Sequence, residues 1–449
     1  MGGEVGVAVA SRGVGVGGKG VSVGIGVSVG VGVGAGVADF TLNSDTTAYI
    51  AGMGTLLSAG DDITIAADGD VVMDLLTFAG SGGIVGLNAS YANADSDNDV
   101  SAYISNGAVI ANADDVFLTA HSASDVEAES IGASGGIVAI GASIADATET
   151  GSTLAYVGDN LLLGRSADPA YVVNSLTIDA AADIDLRAKT LAAAGGIVAG
   201  SGSVATASAQ PTVKAYIGSN VDIAVTDLTI NATVTPKTQA EALGINAGIA
   251  AVGASIATAE NIVNVQTYIG PNGTITATNI AMNAVQNLPG SGRSAQADAT
   301  GAVGGLIGAN ATIADTSSSG SVTSYVGTET VIISTGNVSI RADANSSQKA
   351  DADSYAVGLV ALGANLASSE SSINSSAYLG EGVHVGAGDA IGGLVDGETY
   401  FVVLDKTRAF DPVTAISANQ INLGPNHGLR TGDTITYQRG DAANEKQAE

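Results

Sequence analysis

The chain has 449 residues, 45% of them hydrophobic but only 4% aromatic, with no Trp and no Cys. Its 15 Lys and Arg stand against 44 Asp and Glu, a net charge of -29, which speaks against nucleic acid and anionic bilayers as partners, because both are held by clustered basic side chains. The absence of cysteine removes disulfides, thiolate metal sites and cysteine nucleophiles, and leaves the redox compartment unread.

Residues 1 to 39 alternate Val with Gly, interrupted by Arg12 and Lys19. Period two is a strand signature, and a Gly/Val helix would have poor propensity, so a membrane-spanning helix is not expected. No basic segment followed by a compact apolar stretch and a cleavage site opens the chain, so the expectation is a segment of a longer protein.

From Asp39 to about Gly386 one pattern returns. In GGIVAIGASIADATETGSTLAYVG, Gly135 to Gly158, the residues Val138, Ile140, Ala142 and Ile144 fall on one face of a strand and Ala139, Gly141, Ser143 and Ala145 on the other. The aliphatic set is expected to face the core, so that Ile140→Asp would bury a carboxylate. Small-Tyr-aliphatic triplets at Tyr49, Tyr103, Tyr156, Tyr216, Tyr268, Tyr325 and Tyr378 mark seven repeats, with gaps of 54, 53, 60, 52, 57 and 53 residues. After most tyrosines comes a Gly/Asn turn, then usually an aliphatic-rich strand such as SLTIDA or DLTINA. Such spacing predicts an all-β parallel β-helix of 52–60-residue repeats, its tyrosines stacked in a column just inside a turn, near the strand end. Two coils per repeat are favoured, giving a rod of roughly 65 Å at ~4.8 Å per coil; one long flattened coil per repeat is the rival geometry.

The pattern breaks at 387, so the domains read as 1–386, the repeat domain, and 387–449, a small β module that caps it or is inserted. Within the module, strands are expected at Thr399 to Leu404 and Thr434 to Gln438.

The motif GGIVAIGASIADAT, LAYVGDN, SLTIDA, recurring across residues 1 to 386, resembles repeats of giant bacterial surface exoproteins, the filamentous-haemagglutinin-like and LEPR-type adhesins. NHGLRTGDTITYQRG with IGGLVDGETYFVV is similar to a short module interspersed in those proteins. This resemblance implies a right-handed parallel β-solenoid and a secreted or surface-attached stalk acting in adhesion or cell-cell contact, with no catalytic set to carry over.

Chemistry is thin. In ADIDLRAK, Asp183, Asp185, Arg187 and Lys189 share a face, which a polysaccharide lyase could use to hold calcium beside a proton acceptor; a solvated face with cross-strand ion pairs is the simpler reading. Asp95, Asp97 and Asp99 of DSDND are the calcium candidates, although Val100 and Asn106 stand where a calcium loop needs Gly and Glu. The pairs Asp61-Asp62 and Asp114-Asp115 are similar acidic turns. His121, His384 and His427 are too far apart in sequence to support a zinc site or a triad.

The sequence thus favours a non-enzymatic structural or adhesive protein outside the bacterial cell. It would need no cofactor, calcium apart, and would touch a surface or glycan receptor, copies of itself, or further repeats. A carbohydrate-active β-helix enzyme and an ice-binding solenoid are the alternatives, the latter lacking outward Thr columns.

Overall fold

A computed structural model of the chain describes residues 7–164 and 173–386, and in the tail the segments Phe401–Val402, Ile416–Ser417, Gln420–Ile421, Tyr437–Arg439 and Lys446–Ala448. The chain divides into two compact units, Met1–Val385 and Gly386–Glu449. Among the described residues there is no helix and 82% are in strands, an all-β structure.

In the first unit the strands pair in parallel, and each pairing joins residues one repeat apart. Val85 lies beside Val138, Val138 beside Val198, Val198 beside Ala250 and Ala250 beside Ile307, offsets that follow the tyrosine gaps. No described pairing has the half-repeat offset that two coils per repeat would require. The stack is therefore half as long as expected, about 30 Å from Tyr49 to Tyr378 at ~4.8 Å per layer. Extra residues loop out without disturbing this register: the offset is 52 up to Gln286 and 57 from Ala295 onward, the difference being absorbed by the loop that carries Pro289.

Each layer contains two long strands and one short one. Ile63–Gly82 leads through a Gly-Gly turn into Val85–Ile104, and an Asn-Gly turn leads on to the next layer, whose short-strand residues Val109 and Ile110 pair with Leu56 and Leu57 before and Leu162 and Leu163 after. The cross-section is a wedge. At the wide end Ile63, Ile65, Leu118, Leu163, Leu176 and Ile223 are fully buried. At the narrow end the two long sheets approach closely enough for direct bonds between them: Ser143 Oγ donates to the Leu191 carbonyl at 2.9 Å, and Ser90 and Ser130 hydroxyls meet at 2.7 Å.

This taper corrects the expected orientation of the glycine-rich strand. Ala139, Ser143 and Ala145 are buried, whereas Ile140 is 51% exposed. Only small side chains fit between sheets this close, so the small face turns inward and the aliphatic face turns out.

Two glycine-containing turns stack in columns. At the narrow end a Cβ on Gly136, Gly196 or Gly248 would stand 2.4–2.6 Å from a carbonyl oxygen of the layer before it. At the Asn-Gly turns, Gly107, Asn160, Asn220, Asn272, Glu329 and Gly382 all adopt φ between 56° and 72° at one phase of the repeat. Glycine and asparagine enter this region most readily, which explains their recurrence there. Glu329 does not share that ease.

In the tail, Phe401–Val402 pairs in parallel with Gln420–Ile421, which pairs antiparallel with Ile416–Ser417, and Tyr437–Arg439 pairs antiparallel with Lys446–Ala448. The remainder of the two strands expected there lies outside the described residues, as does His427.

Candidate functional site

Period two places every second residue of the first long sheet on its outer face, and the parallel register stacks equivalent positions into ladders. One ladder runs Val72, Asp125, Asp185, Lys237; its neighbour runs Asp74, Glu127, Arg187, Gln239. The loop that absorbs the extra residues folds beside them, so that Asp70, Asp125, Asp183, Asp185, Lys237 and Pro289 line an open cleft of about 580 Å³. The ADIDLRAK strand thus contributes Asp183 and Asp185 to this cleft.

In and beside the cleft several of the charges are paired. Asp185 Oδ2 accepts from Arg187 Nη2 at 2.6 Å and from Lys237 Nζ at 2.8 Å. Lys189 Nζ donates to Glu127 Oε1 at 2.8 Å, and this bond raises its pKa. Asp125, facing Asp185, has its pKa raised, chiefly by burial.

Beside the cleft, His121 bridges three layers. Its Nδ1 lies 3.0 Å from Asp68 Oδ1 and its Nε2 3.6 Å from Asp183 Oδ2. The Asp183 carboxylate first, and Asp68 with it, push the imidazole pKa up to about 9 against the opposing effect of burial. Reciprocally, His121 lowers the pKa of Asp183. At neutral pH His121 is therefore a cation between two carboxylates and is not available as a base.

Among the described residues, two groups have donor atoms close enough to share a metal: Asp68, Asp70 and His121, and Asp61, Asp62 and Asp114. The first already receives Arg12, whose Nη2 is 3.2 Å from Asp70 Oδ2. A divalent ion there would have to displace the guanidinium and take His121 neutral. In the second, Asp62 Oδ1 accepts from the Asp115 amide at 3.2 Å.

Asp95, Asp97 and Asp99 lie at alternate positions of the extended strand Val85–Ile104, about 6.6 Å apart, so neighbouring strands rather than one another provide most of their company. Asp95 accepts from Asn93, and Asp99 accepts from the Ser152 amide and hydroxyl. Asp97 has its pKa raised by burial and by Asp99. His384 is exposed at the end of the first unit.

The seven tyrosines form one column along the outer face of the second long sheet. Consecutive rings are 4.6–5.2 Å apart and within 11° of parallel, from Tyr49 to Tyr378. Burial, then the neighbouring phenol, raises the Tyr268 pKa to about 12. Because each ring covers the next, the column offers edges and hydroxyls to a ligand, not the open faces on which a sugar ring stacks.

Sequence reasoning overlooked Glu149. It is only 3% exposed, in the interior between the sheets, and Oε1 accepts from the Gly151 amide at 3.1 Å. Burial raises its pKa. The signal was present: Glu149 continues the inward set Ala139, Gly141, Ser143, Ala145, Ala147.

No family model, no curated protein and no solved structure matches the chain. Among the described residues no helix is long and apolar enough to cross a membrane.

Proposed function

We propose that residues 1–386 are a stretch of right-handed parallel β-solenoid, one coil per repeat, within a large bacterial surface or secreted protein, and that its role is structural and adhesive rather than catalytic. The observation that carries this reading is the unbroken one-repeat register, which aligns the seven tyrosines. A fold of this kind spends each residue on packing against the layers before and behind, so adding repeats lengthens the stack without new design.

The cost of length is high, at about 4.8 Å per repeat. A layer contains two strands of 20 residues, each about 66 Å long, so the segment presents broad sheet faces as well as a spacer. That favours covering and contact over slender reach. The acidic surface keeps such plates apart from anionic cell envelopes until a specific contact is made.

A carbohydrate-active cleft is the second reading, supported by Asp125, Asp183, Asp185 and Lys237 converging beside the Pro289 loop. Against it stand the mutual ion pairs and the protonated state of His121.

The two readings separate in one experiment. Beads coated with the full chain are mixed with bacterial cells and scored for aggregation, while the soluble chain is incubated with polygalacturonate and similar acidic glycans. Adhesion without turnover supports the structural role. Turnover that is lost in Asp185→Asn overturns it.

A further inference from the structure

Around the narrow edge of the wedge the sequence carries no charge. Residues 130–145, 190–205, 242–257 and 299–314 hold no Asp, Glu, Lys or Arg in a chain of net charge -29. The outward residues there are aliphatic and exposed: Ile140 by 51%, Val252 by 60%, and the turn tips Ile137 and Ile249 by 51% and 55%.

These side chains form a relief. The ladder Leu87, Ile140, Gly200, Val252, Ala309 is a ridge notched at Gly200 and Ala309, and two residues along the strand Ala89, Ala142, Gly202 and Ala254 form a parallel furrow. A further ridge follows at Tyr91 and Ile144. From Val31 to Val360 the register is continuous, so seven layers at ~4.8 Å by eight residues at ~3.3 Å give a band of roughly 900 Å² on this sheet alone. Exposed apolar patches of that size are beyond what a monomer ordinarily shows, and the band matches the ~800 Å² per partner of a standard interface.

We infer that this edge is an interface between two copies of the chain, packed face to face, with the ridge of one in the alanine furrow of the other. The occupant follows from the chemistry. A charge-free, flat, corrugated face offers nothing to a charged ligand and matches its own shape under a twofold axis, as sheets do when they pack about 10 Å apart. Two acidic bodies repel, so the association strengthens as salt screens them, the reverse of an ion-pair interface. The inference stands on the exposed surface and does not depend on the adhesive reading.

The test is sedimentation of the full chain over a concentration series at low and high salt, beside Ile140→Asp, Val252→Asp and the control Met53→Asp, a residue 91% exposed in the turn after Tyr49. The expected result is a dimer favoured by salt and weakened at least ~10-fold by either edge variant but not by the control, with all melting temperatures within about 2 °C. Because the chain has no cysteine, Ala142→Cys adds a second readout that survives any misfolding of the charged variants: a short bis-maleimide should link two chains through it.

A wild-type chain that stays monomeric at high concentration and salt overturns the inference. So does association that both edge variants leave intact, which would place the contact elsewhere, at the stack ends for instance. Binding of the monomer to neutral phosphatidylcholine vesicles would assign the edge to lipid instead, and an Ala142→Cys thiol shielded in a monomer would assign it to the chain's own tail.

Discussion

The carboxamide of Asn88 occupies the place where a side chain at Gly141 would begin. A Cβ on Gly141 would stand 2.5 Å from Asn88 Oδ1, the same oxygen that accepts from the Ala142 amide at 3.1 Å. Gly132, on the facing sheet, is shut in by the same asparagine and by Ser143. The narrow end is thus closed by polar side chains reaching into space that glycines leave free.

From this follows an ordering of three neighbouring substitutions. Gly141→Val should destabilise by about 1–3 kcal/mol through overpacking. Ala139→Asp, burying a carboxylate without a partner, should cost more, about 3–5 kcal/mol. Ile140→Asp should fall within about 0.5 kcal/mol of wild type. Denaturant melts of the three proteins check the order, and an Ile140→Asp protein as unstable as Ala139→Asp would mean that the strand is turned over.

The tyrosine column should depend on rings and not on hydroxyls. Tyr216 is stacked between Tyr156 at 4.7 Å and Tyr268 at 4.6 Å. Tyr216→Ala removes two such contacts and should cost about 1–3 kcal/mol, whereas Tyr216→Phe should cost less than about 0.5 kcal/mol. Equal losses in the two variants would show that the phenol oxygen carries the stabilisation.

His121 makes stability fall at alkaline pH. Its folded pKa lies above the unfolded 6.5, at about 9, so its contribution is complete below pH 6.5 and disappears as pH rises through 9. In a dry site the displacement would correspond to about 3 kcal/mol; with the side chain 38% exposed, screening reduces this to about 1–2 kcal/mol. The groups around it are Asp68, Asp70, Asp179, Asp183 and Arg12, of which Asp179 has its pKa raised by burial. The melting temperature of His121→Gln should lie below wild type at pH 6 and meet it near pH 10. A constant gap would remove the ion pairs from the account.

Glu329 stores strain that can be released. Its φ of 56° matches the turns where Asn160, Asn220 and Asn272 stand, and a non-glycine residue in that region costs about 1 kcal/mol relative to glycine. Glu329→Asn or Glu329→Gly should therefore raise stability by about 0.5–1 kcal/mol. A loss in both variants would point to a contact of the Glu329 carboxylate that outweighs the backbone term.

Much of the architecture was legible because it is periodic. Strand type came from alternation, the repeat from the tyrosine spacing, and the turns from Gly and Asn at a fixed phase, all of which are local or translational patterns that a linear string records. Ile140 was misplaced for a physical reason: alternation separates two faces without saying which is inside, and hydrophobicity alone chose the aliphatic one. The cleft was only half legible. Asp183, Asp185 and Arg187 lie within one strand, but Asp125, Lys237 and His121 reach them from layers more than 50 residues away, and the Pro289 loop comes from another layer again.

Recurring extended segments, little chemistry and a strong negative charge can all be read from the linear chain. That a full repeat makes one layer and not two, and that the layer narrows to an edge, comes from the packing in three dimensions. The reason is steric: how closely two sheets approach depends on the side chains of both, and where the approach is tight the small residues turn inward and leave Ile140 and Val252 facing water.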